Sequence, residues 1–187
     1  MTTLNPNLTT THLLDFGDIS SIIANTSQTK EWINLQENFN LKSTIVVVGH
    51  GGNLAVSDHI AADITRLTEF NKKTLCPGSA IQVTSFINDS SFEEWLVCWL
   101  KSQPINHSDT LILGISSSGR SKDIEKLFKY ANNLNIYTSL ITAKPSEIIS
   151  DSQIVTNCQS YHGSELVALG LGYQLVHGYG YTCPKIG

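Results

Sequence analysis

Two loops rich in glycine, serine and histidine carry the residues best suited to chemistry. The first, Gly49-His50-Gly51-Gly52-Asn53, follows the β-branched block "STIVVV", and the second, Ser116-Ser117-Ser118-Gly119-Arg120-Ser121, follows "LILGI". Glycine permits a positive φ and lets a ligand approach the backbone closely. Hydroxyls and backbone N–H groups at the start of a helix favour an anion. The second loop therefore predicts a phosphate site that needs no metal. A solvated turn with Ser121 as a helix N-cap is the alternative.

The first loop permits several interpretations. It matches neither G-x-G-x-x-G nor G-x-x-x-x-G-K-[ST], so it does not indicate a dinucleotide or a nucleoside triphosphate. Asn53 is a favourable N-cap for the helix that follows, and the dipole of that helix would favour an anion. A glycine turn that only packs strand against helix is the alternative. His50 could contact a ligand, transfer protons near neutral pH, or simply hydrogen-bond the neighbouring backbone.

Short apolar runs alternate with helical patterns along most of the chain. Strands are predicted at 43–49, 80–86, 109–115, 136–143 and 152–157. Helices are predicted at 18–38, 53–67, 91–102, 121–135 and 163–180, the third opened by a capping box of Ser91 and Glu94. Nearly continuous apolar strands separated by helices predict a doubly wound parallel sheet covered on both faces. Ligands bind such sheets beyond the carboxyl ends of the strands, where both loops lie.

Composition narrows the class of protein. The chain has 187 residues, of which 41% are hydrophobic and 15% charged, and its net charge is −4. These values fit one folded domain, which we expect over 18–187 after a flexible polar arm at 1–17, and they argue against direct binding of nucleic acid. No apolar run approaches the roughly 20 residues of a membrane span and no secretory signal is seen, so we expect no membrane contact and a cytoplasmic protein. The four cysteines lack zinc-motif spacing and are expected to be reduced.

These motifs together resemble the sugar isomerase (SIS) domain family, and within it the phosphoheptose isomerases, which act on sedoheptulose 7-phosphate. The resemblance covers about residues 18–177. It rests on "ILGISSSGRS", on "GHGGN" followed by a helix that bears His59, and on Asn88-Asp89 followed by Phe92. It implies a three-layer αβα sandwich with a flavodoxin-like five-stranded parallel sheet. It also implies a sugar phosphate as ligand and a homodimer or homotetramer.

The resemblance also implies roles for individual residues. The phosphate would be held by four serines of the second loop, and the sugar would be approached by residues of the first loop and by one aspartate. These residues are Ser116, Ser117, Ser118 and Ser121 for the phosphate, and Gly51, Gly52, Asn53 and Asp89 for the sugar.

The departures from the family pattern concern the catalytic residues. Asp63 stands where the family has a glutamate, four residues after His59 on the same helix face, and its shorter carboxylate would fall short of the family position. A misplacement of about 1 Å can cost about 10²-fold in rate. In the last predicted helix Glu165 is kept, but Val167 and Gly172 stand in place of two histidines. His59 and Asp63 alone are too few ligands for a firm zinc site, so no cofactor is assigned and zinc is kept as the alternative.

Two functions follow from this comparison. The first is an aldose–ketose isomerase with Asp63 or Glu165 as the base and His59, His50 or His162 as the acid. His162 reaches the site only if the last helix starts differently; otherwise we expect it at the surface or at a helix cap. The second is a non-catalytic phosphosugar-binding or regulatory module, because the last helix has lost its histidines.

Overall fold

A five-stranded parallel sheet forms the centre of the protein. The computed structural model describes residues 15–183 and 185–186, so most of the predicted arm at 1–17 lies outside the described residues. The strands are β1 (Thr44–Gly49), β2 (Lys73–Leu75), β3 (Thr110–Ile115), β4 (Tyr137–Thr142) and β5 (Ser152–Val155). Their order is β2-β1-β3-β4-β5, with every neighbouring pair parallel. The order reverses between β1 and β3, and a crevice opens at the carboxyl ends of strands at such a point.

Helices cover both faces of this sheet, which confirms the predicted αβα sandwich. They are α1 (Ile19–Thr26), α2 (Lys30–Leu41), α3 (Gly52–Leu67), α4 (Ala80–Asp89), α5 (Trp95–Lys101), α6 (Lys122–Asn133) and α7 (Tyr161–Gly178). Alternate strand residues face opposite layers. Ile45 and Val47 of β1 pack against α2, α3 and α7, whereas Val46 and Val48 pack against α5 and α6. The four β1 residues are completely buried, as expected for a strand covered on both sides.

The segment at 80–86 forms a helix, so the predicted second strand was wrong. α4 begins after Ser79, whose hydroxyl accepts from the backbone N–H of Gln82. Val83, Phe86 and Ile87 are spaced at three and four residues and pack against the α5–α6 layer. The second strand is instead β2, only three residues long at the edge of the sheet. A segment this short carries too few residues to show a strand pattern.

The helix predicted at 18–38 is two helices. α1 begins after Asp18, whose carboxylate accepts from the N–H of Ser21 at 3.0 Å. α2 begins after Thr29, whose hydroxyl accepts from the N–H of Trp32 at 3.2 Å. A capping threonine ends one helix run and starts the next because its side chain competes for the backbone donors.

The apolar residues of α1 are covered by the same chain. α1 packs on α7, where the side chain of Ile23 lies against Gly170. Trp32 and Leu35 of α2 are buried in the core. The apolar stripe of the N-terminal helices therefore does not by itself require a second subunit. Within the described residues, no helix is long and apolar enough to cross a membrane.

Candidate active site

A hydrogen bond joins the two loops at the crevice between β1 and β3. The side-chain N–H of Asn53 donates to the hydroxyl of Ser117 at 3.1 Å, and both residues are buried. The N-cap of α3 is Gly51, at φ +54°, so the predicted capping role of Asn53 was wrong. Asn53 lies instead in the first turn of the helix and turns its amide toward the second loop. Its Oδ1 is buried without a partner among the described residues. This oxygen can accept a hydrogen bond from a ligand hydroxyl.

The second loop is a tight turn at the end of β3. The N–H of Gly119 donates to the carbonyl of Ser116 at 2.9 Å, and Gly119 has a φ of +64°. The hydroxyls of Ser116 and Ser121 are hydrogen-bonded to each other at 2.9 Å. Ser121 is at the N-cap of α6, as the alternative predicted, but its side chain makes no capping bond. The N–H groups of Ser118 and Arg120 have no acceptor among the described residues. They remain available to an anion at the start of α6.

A cleft of about 190 Å³ opens beside this loop. Its walls come from the second loop, from the ends of β4 and β5, and from the start of α7. The lining residues are Ser117, Ser118, Arg120, Ala143, Lys144, Cys158, Gln159, Ser160 and Tyr161. Lys144 and Ser160 were missed from the sequence, although each follows a predicted strand end. Arg120 and Lys144 give the cleft positive charge, which suits a phosphate.

The carboxylate of Glu165 lies against the first residue of α3. A Cβ built on Gly52 would overlap both carboxylate oxygens, so only glycine allows this approach. Negative charge at the N-terminus of a helix is stabilised by the helix dipole. Glu165 therefore occupies the end of α3 at which the sequence suggested an anion. A phosphate fits the second loop better than the first.

His50 turns into the protein from the first loop. Its Nε2 lies 2.9 Å from one carboxylate oxygen of Asp123 and 2.8 Å from the other. Asp123 is completely buried in the first turn of α6, and it also accepts from the indole N–H of Trp95 at 2.8 Å. The imidazole lies near the rings of Phe92 and Trp95, with centroids 5.6 and 6.2 Å away. No role for Asp123 was predicted from the sequence.

His59 and Asp63 form a separate cluster on the outer face of α3. The Nε2 of His59 lies 3.0 Å from the carboxylate of Asp63 and 2.9 Å from the hydroxyl of Tyr173 on α7. Asp63 also pairs with Arg66 at 2.8 Å. Partial burial, and secondarily the charge of Asp63, raise the pKa of Tyr173. With a rise of about 1.5 Å per residue, His59 stands about 10 Å along the helix axis from Gly52, and Asp63 farther still. Within one chain the structure does not bring this pair to the crevice.

Asp89 and His162 have different surroundings. Asp89 is exposed at the last residue of α4, where it accepts from the side chain of Asn88 at 3.1 Å. The structure does not bring it to the crevice through any described contact. α7 starts at Tyr161, two residues before the predicted start. His162 therefore lies in its first turn, with Nδ1 3.8 Å from a carboxylate oxygen of Glu165.

Comparison with known proteins agrees with the motifs. No family model matches the chain. The phosphoheptose isomerase of Helicobacter pylori (strain P12) is 29% identical over 111 residues, which is 56% of this chain and 55% of the relative. That of Clostridium acetobutylicum is 30% identical over 105 residues, 54% of this chain and 52% of the relative. The chain thus spans about half the length of the curated relatives it matches.

Comparison of folds covers more of the chain. A phosphoheptose isomerase structure from Francisella tularensis superposes with a TM-score of 0.71 at 13% identity, over 86% of this chain and 91% of that one. At this identity the likeness establishes the fold. The chain thus has the fold of a phosphoheptose isomerase structure and is similar in sequence to curated phosphoheptose isomerases over about half of its length.

In this fold, the two α7 positions that lack the expected histidines belong to the core. Val167 is completely buried, and Gly172 is packed so tightly that an added Cβ would lie 2.6 Å from Ile60. Side chains as large as histidine cannot be accommodated at Gly172 without moving α3 from α7. Among the described residues, no group of three or more histidine, cysteine or acidic side chains could hold a metal ion.

Proposed function

We propose that this protein binds a sugar phosphate and interconverts its ketose and aldose forms. The observation that carries the proposal is the position of the Glu165 carboxylate on Gly52, beside the Asn53–Ser117 hydrogen bond. A carboxylate, a buried acceptor oxygen and a cationic cleft then adjoin one crevice. The similarity to phosphoheptose isomerases makes sedoheptulose 7-phosphate the first substrate to test.

Each part of the crevice supplies one requirement of the reaction. Isomerisation moves a proton between C1 and C2 through an enediol, which requires a base and a second group that handles the oxygen protons. Glu165 is the proposed base. The N–H groups of Ser118 and Arg120, with the cation of Lys144, hold the phosphate. Asn53 Oδ1, which is buried and has no partner among the described residues, accepts a hydrogen bond from a sugar hydroxyl once the ligand displaces the groups that cover it.

His59 and Asp63 remain candidates for an assembled form of the protein. They lie on the exposed face of α3, beside Tyr173. A second copy would have to bring its crevice to this face before either residue could touch a sugar. We therefore propose a homodimer or homotetramer, without membrane or nucleic-acid partners, acting in the cytoplasm.

The proposal is tested by turnover of sedoheptulose 7-phosphate with the wild type and with Glu165→Gln, followed by NMR of the sugar. We expect Glu165→Gln to lower kcat about 10²-fold or more, because the amide cannot accept the carbon-bound proton. Glu147→Gln is the matched control, since this exposed carboxylate lines a neighbouring cleft whose lining includes neither Gly52 nor Glu165. A wild type that is no faster than Glu165→Gln contradicts the isomerase.

The non-catalytic alternative predicts a different pattern. A phosphosugar sensor would be stabilised against heat by several sugar phosphates without converting any of them. A thermal-unfolding series with sedoheptulose 7-phosphate, fructose 6-phosphate and inorganic phosphate separates the two functions. Stabilisation without turnover would favour the sensor, and the absence of any shift would contradict sugar phosphate binding itself.

A further inference from the structure

Asp123 is a buried carboxylate that takes no part in the proposed binding of the phosphate. It is completely inaccessible to solvent, and a buried charge is costly unless hydrogen bonds compensate it. Three features compensate it here: the indole N–H of Trp95, the Nε2 of His50 and the N-terminus of α6. Its two side-chain partners come from α5 and from the first loop. The carboxylate therefore fixes His50 to the rigid part of the fold.

This contact determines which nitrogen of a neutral His50 carries the proton. A carboxylate accepts hydrogen bonds, so the proton of the neutral imidazole is held on Nε2. Nδ1 is then an acceptor, and it has no hydrogen-bond partner among the described residues. The side chain is 30% exposed although Nε2 points at a fully buried group. The alternative in which His50 merely hydrogen-bonds the neighbouring loop backbone is not observed in the described structure.

The position of His50 relates it to Glu165. One residue separates His50 from Gly52, and the Glu165 carboxylate lies on Gly52. The α-carbons of residues 50 and 52 are at most about 7 Å apart. A sugar held in the second loop and reaching toward Glu165 would therefore pass close to the imidazole. The rings of Phe92 and Trp95 lie beside the imidazole.

We propose that His50 is a catalytic residue of the isomerisation and that Asp123 is its positioning residue; the proposal rests on the proposed function. Glu165 takes the proton from C1 as the carbonyl at C2 becomes an enediolate oxygen. Nδ1 of His50 takes the proton of the C1 hydroxyl and delivers it to the oxygen at C2. Glu165 returns its proton to C2, and the C1 oxygen becomes the aldehyde. Two protons are moved, no external reactant is needed, and both side chains recover their starting state.

The first test examines the tautomer and is independent of turnover. Protein labelled with ¹⁵N-histidine is examined by NMR at alkaline pH, where imidazoles are neutral, and the His50 signals are assigned by their loss in His50→Gln. We expect the proton on Nε2 in the wild type. In Asp123→Asn the amide oxygen can accept from Trp95 while the amide N–H₂ donates to Nε2, so the proton should move to Nδ1. A wild type with its proton on Nδ1 overturns the proposal.

The second test separates proton transfer from structural support. His50→Ala should lower kcat by about 10²-fold or more, and added imidazole should restore part of it. The same imidazole should not restore Glu165→Ala. Asp123→Asn should lower kcat with little change in KM, and should have no further effect when His50 is already alanine. Asp151→Asn, which loses a carboxylate bonded to the backbone N–H of Thr138, is the control for a structural aspartate. Failure of imidazole rescue, or additive effects of the two substitutions, overturns the proposal.

Failure of the proposed function gives a different result. If no ketose phosphate is converted by the wild type, the isomerase is contradicted whatever the tautomer. His50 is then judged by adding sedoheptulose 7-phosphate to the labelled protein. A shift of the Nδ1 signal retains His50 as the group that contacts the ligand, and an unmoved signal overturns that contact as well. If Asp123→Asn does not fold, Trp95→Phe takes its place in the NMR test. This substitution removes the indole N–H donor of Asp123 but keeps the carboxylate, so the proton of His50 should stay on Nε2. A proton on Nδ1 in Trp95→Phe would overturn the role of Asp123.

Discussion

The carboxylate of Glu165 lies directly on the backbone of Gly52, at the first turn of α3. Two parts of the chain that are far apart in sequence thereby share one helix end. The negative charge satisfies the positive end of the helix dipole. The two loops differ in consequence. The first lies beside the carboxylate of Glu165 and carries the buried Asn53, whereas the second has backbone N–H groups without an acceptor among the described residues and has Arg120 and Lys144 nearby.

Gly52→Ala should separate activity from stability. The new Cβ would overlap the end of the Glu165 side chain, which can swing away without moving the backbone. Alanine is also a better helix former than glycine by up to about 1 kcal/mol. We expect an unchanged or slightly raised midpoint of urea unfolding together with a loss of about 10²-fold in kcat. Retention of full activity would show that the position of Glu165 on Gly52 is not needed for catalysis.

Gly172→Ala should lower stability and leave activity nearly unchanged. Its Cβ would lie 2.6 Å from two carbons of the nearly buried Ile60, so α3 and α7 must shift. Overpacking of this kind typically costs about 1–3 kcal/mol. We expect a lower unfolding midpoint, with kcat near the wild-type value at temperatures where the variant is folded. An unfolding midpoint equal to that of the wild type would contradict the close packing of the two helices.

Lys72 should make stability depend on alkaline pH. Burial lowers the pKa of its ammonium from 10.5 to about 8, although the group lies over the rings of Phe39 and Tyr179 and donates to the carbonyl of Lys42. Below pH 8 Lys72 is protonated in both the folded and the unfolded state, so burial of its charge lowers the free energy of unfolding by the full amount. Between pH 8 and about 10.5 the unfolded state binds more protons than the folded state, so the contribution to the free energy of unfolding rises with pH.

The measurement is urea unfolding at several pH values for the wild type and Lys72→Met. The free energy of unfolding of the wild type, minus that of the variant, should increase by about 3 kcal/mol across this interval. Other groups that ionise, such as Cys76 with its pKa raised by burial to about 12, are common to both proteins and cancel. Lys129→Met, at an exposed position, should show no such slope. Parallel curves for wild type and Lys72→Met would contradict the lowered pKa.

The outer face of α3 and α7 predicts self-association. Leu166 and Tyr173 are each 42% exposed on α7, and Tyr173 is hydrogen-bonded to His59 of α3. Apolar side chains grouped on one face favour an interface between subunits. Light scattering should give at least twice the 20.5 kDa of one chain. A monomer at micromolar concentration would contradict the proposed oligomer and would leave His59 and Asp63 remote from any crevice.

Most strands of the sheet were predicted from the sequence because a strand buried on both faces is a nearly continuous run of apolar residues. The apolar runs at β1, β3 and β4 and the helices between them could be read from neighbouring residues alone. α4 was missed because its residues Ile81 and Val83 also alternate as in a strand, and only the packing of Val83, Phe86 and Ile87 against the α5–α6 layer settles the period. The three-residue β2 was missed because so short a segment has no pattern of its own.

The sequence alone determined that two loops rich in glycine and serine follow buried strands, because such clusters are recognisable from adjacent residues. Tertiary structure decided how those residues are paired. Glu165 reaches Gly52, and His50 reaches Asp123, only because the packing of α7 and α6 on the sheet brings distant segments within contact distance. The same packing left His59 and Asp63 on an outer face. Such pairings depend on the directions of whole helices, and no local pattern of residues specifies them.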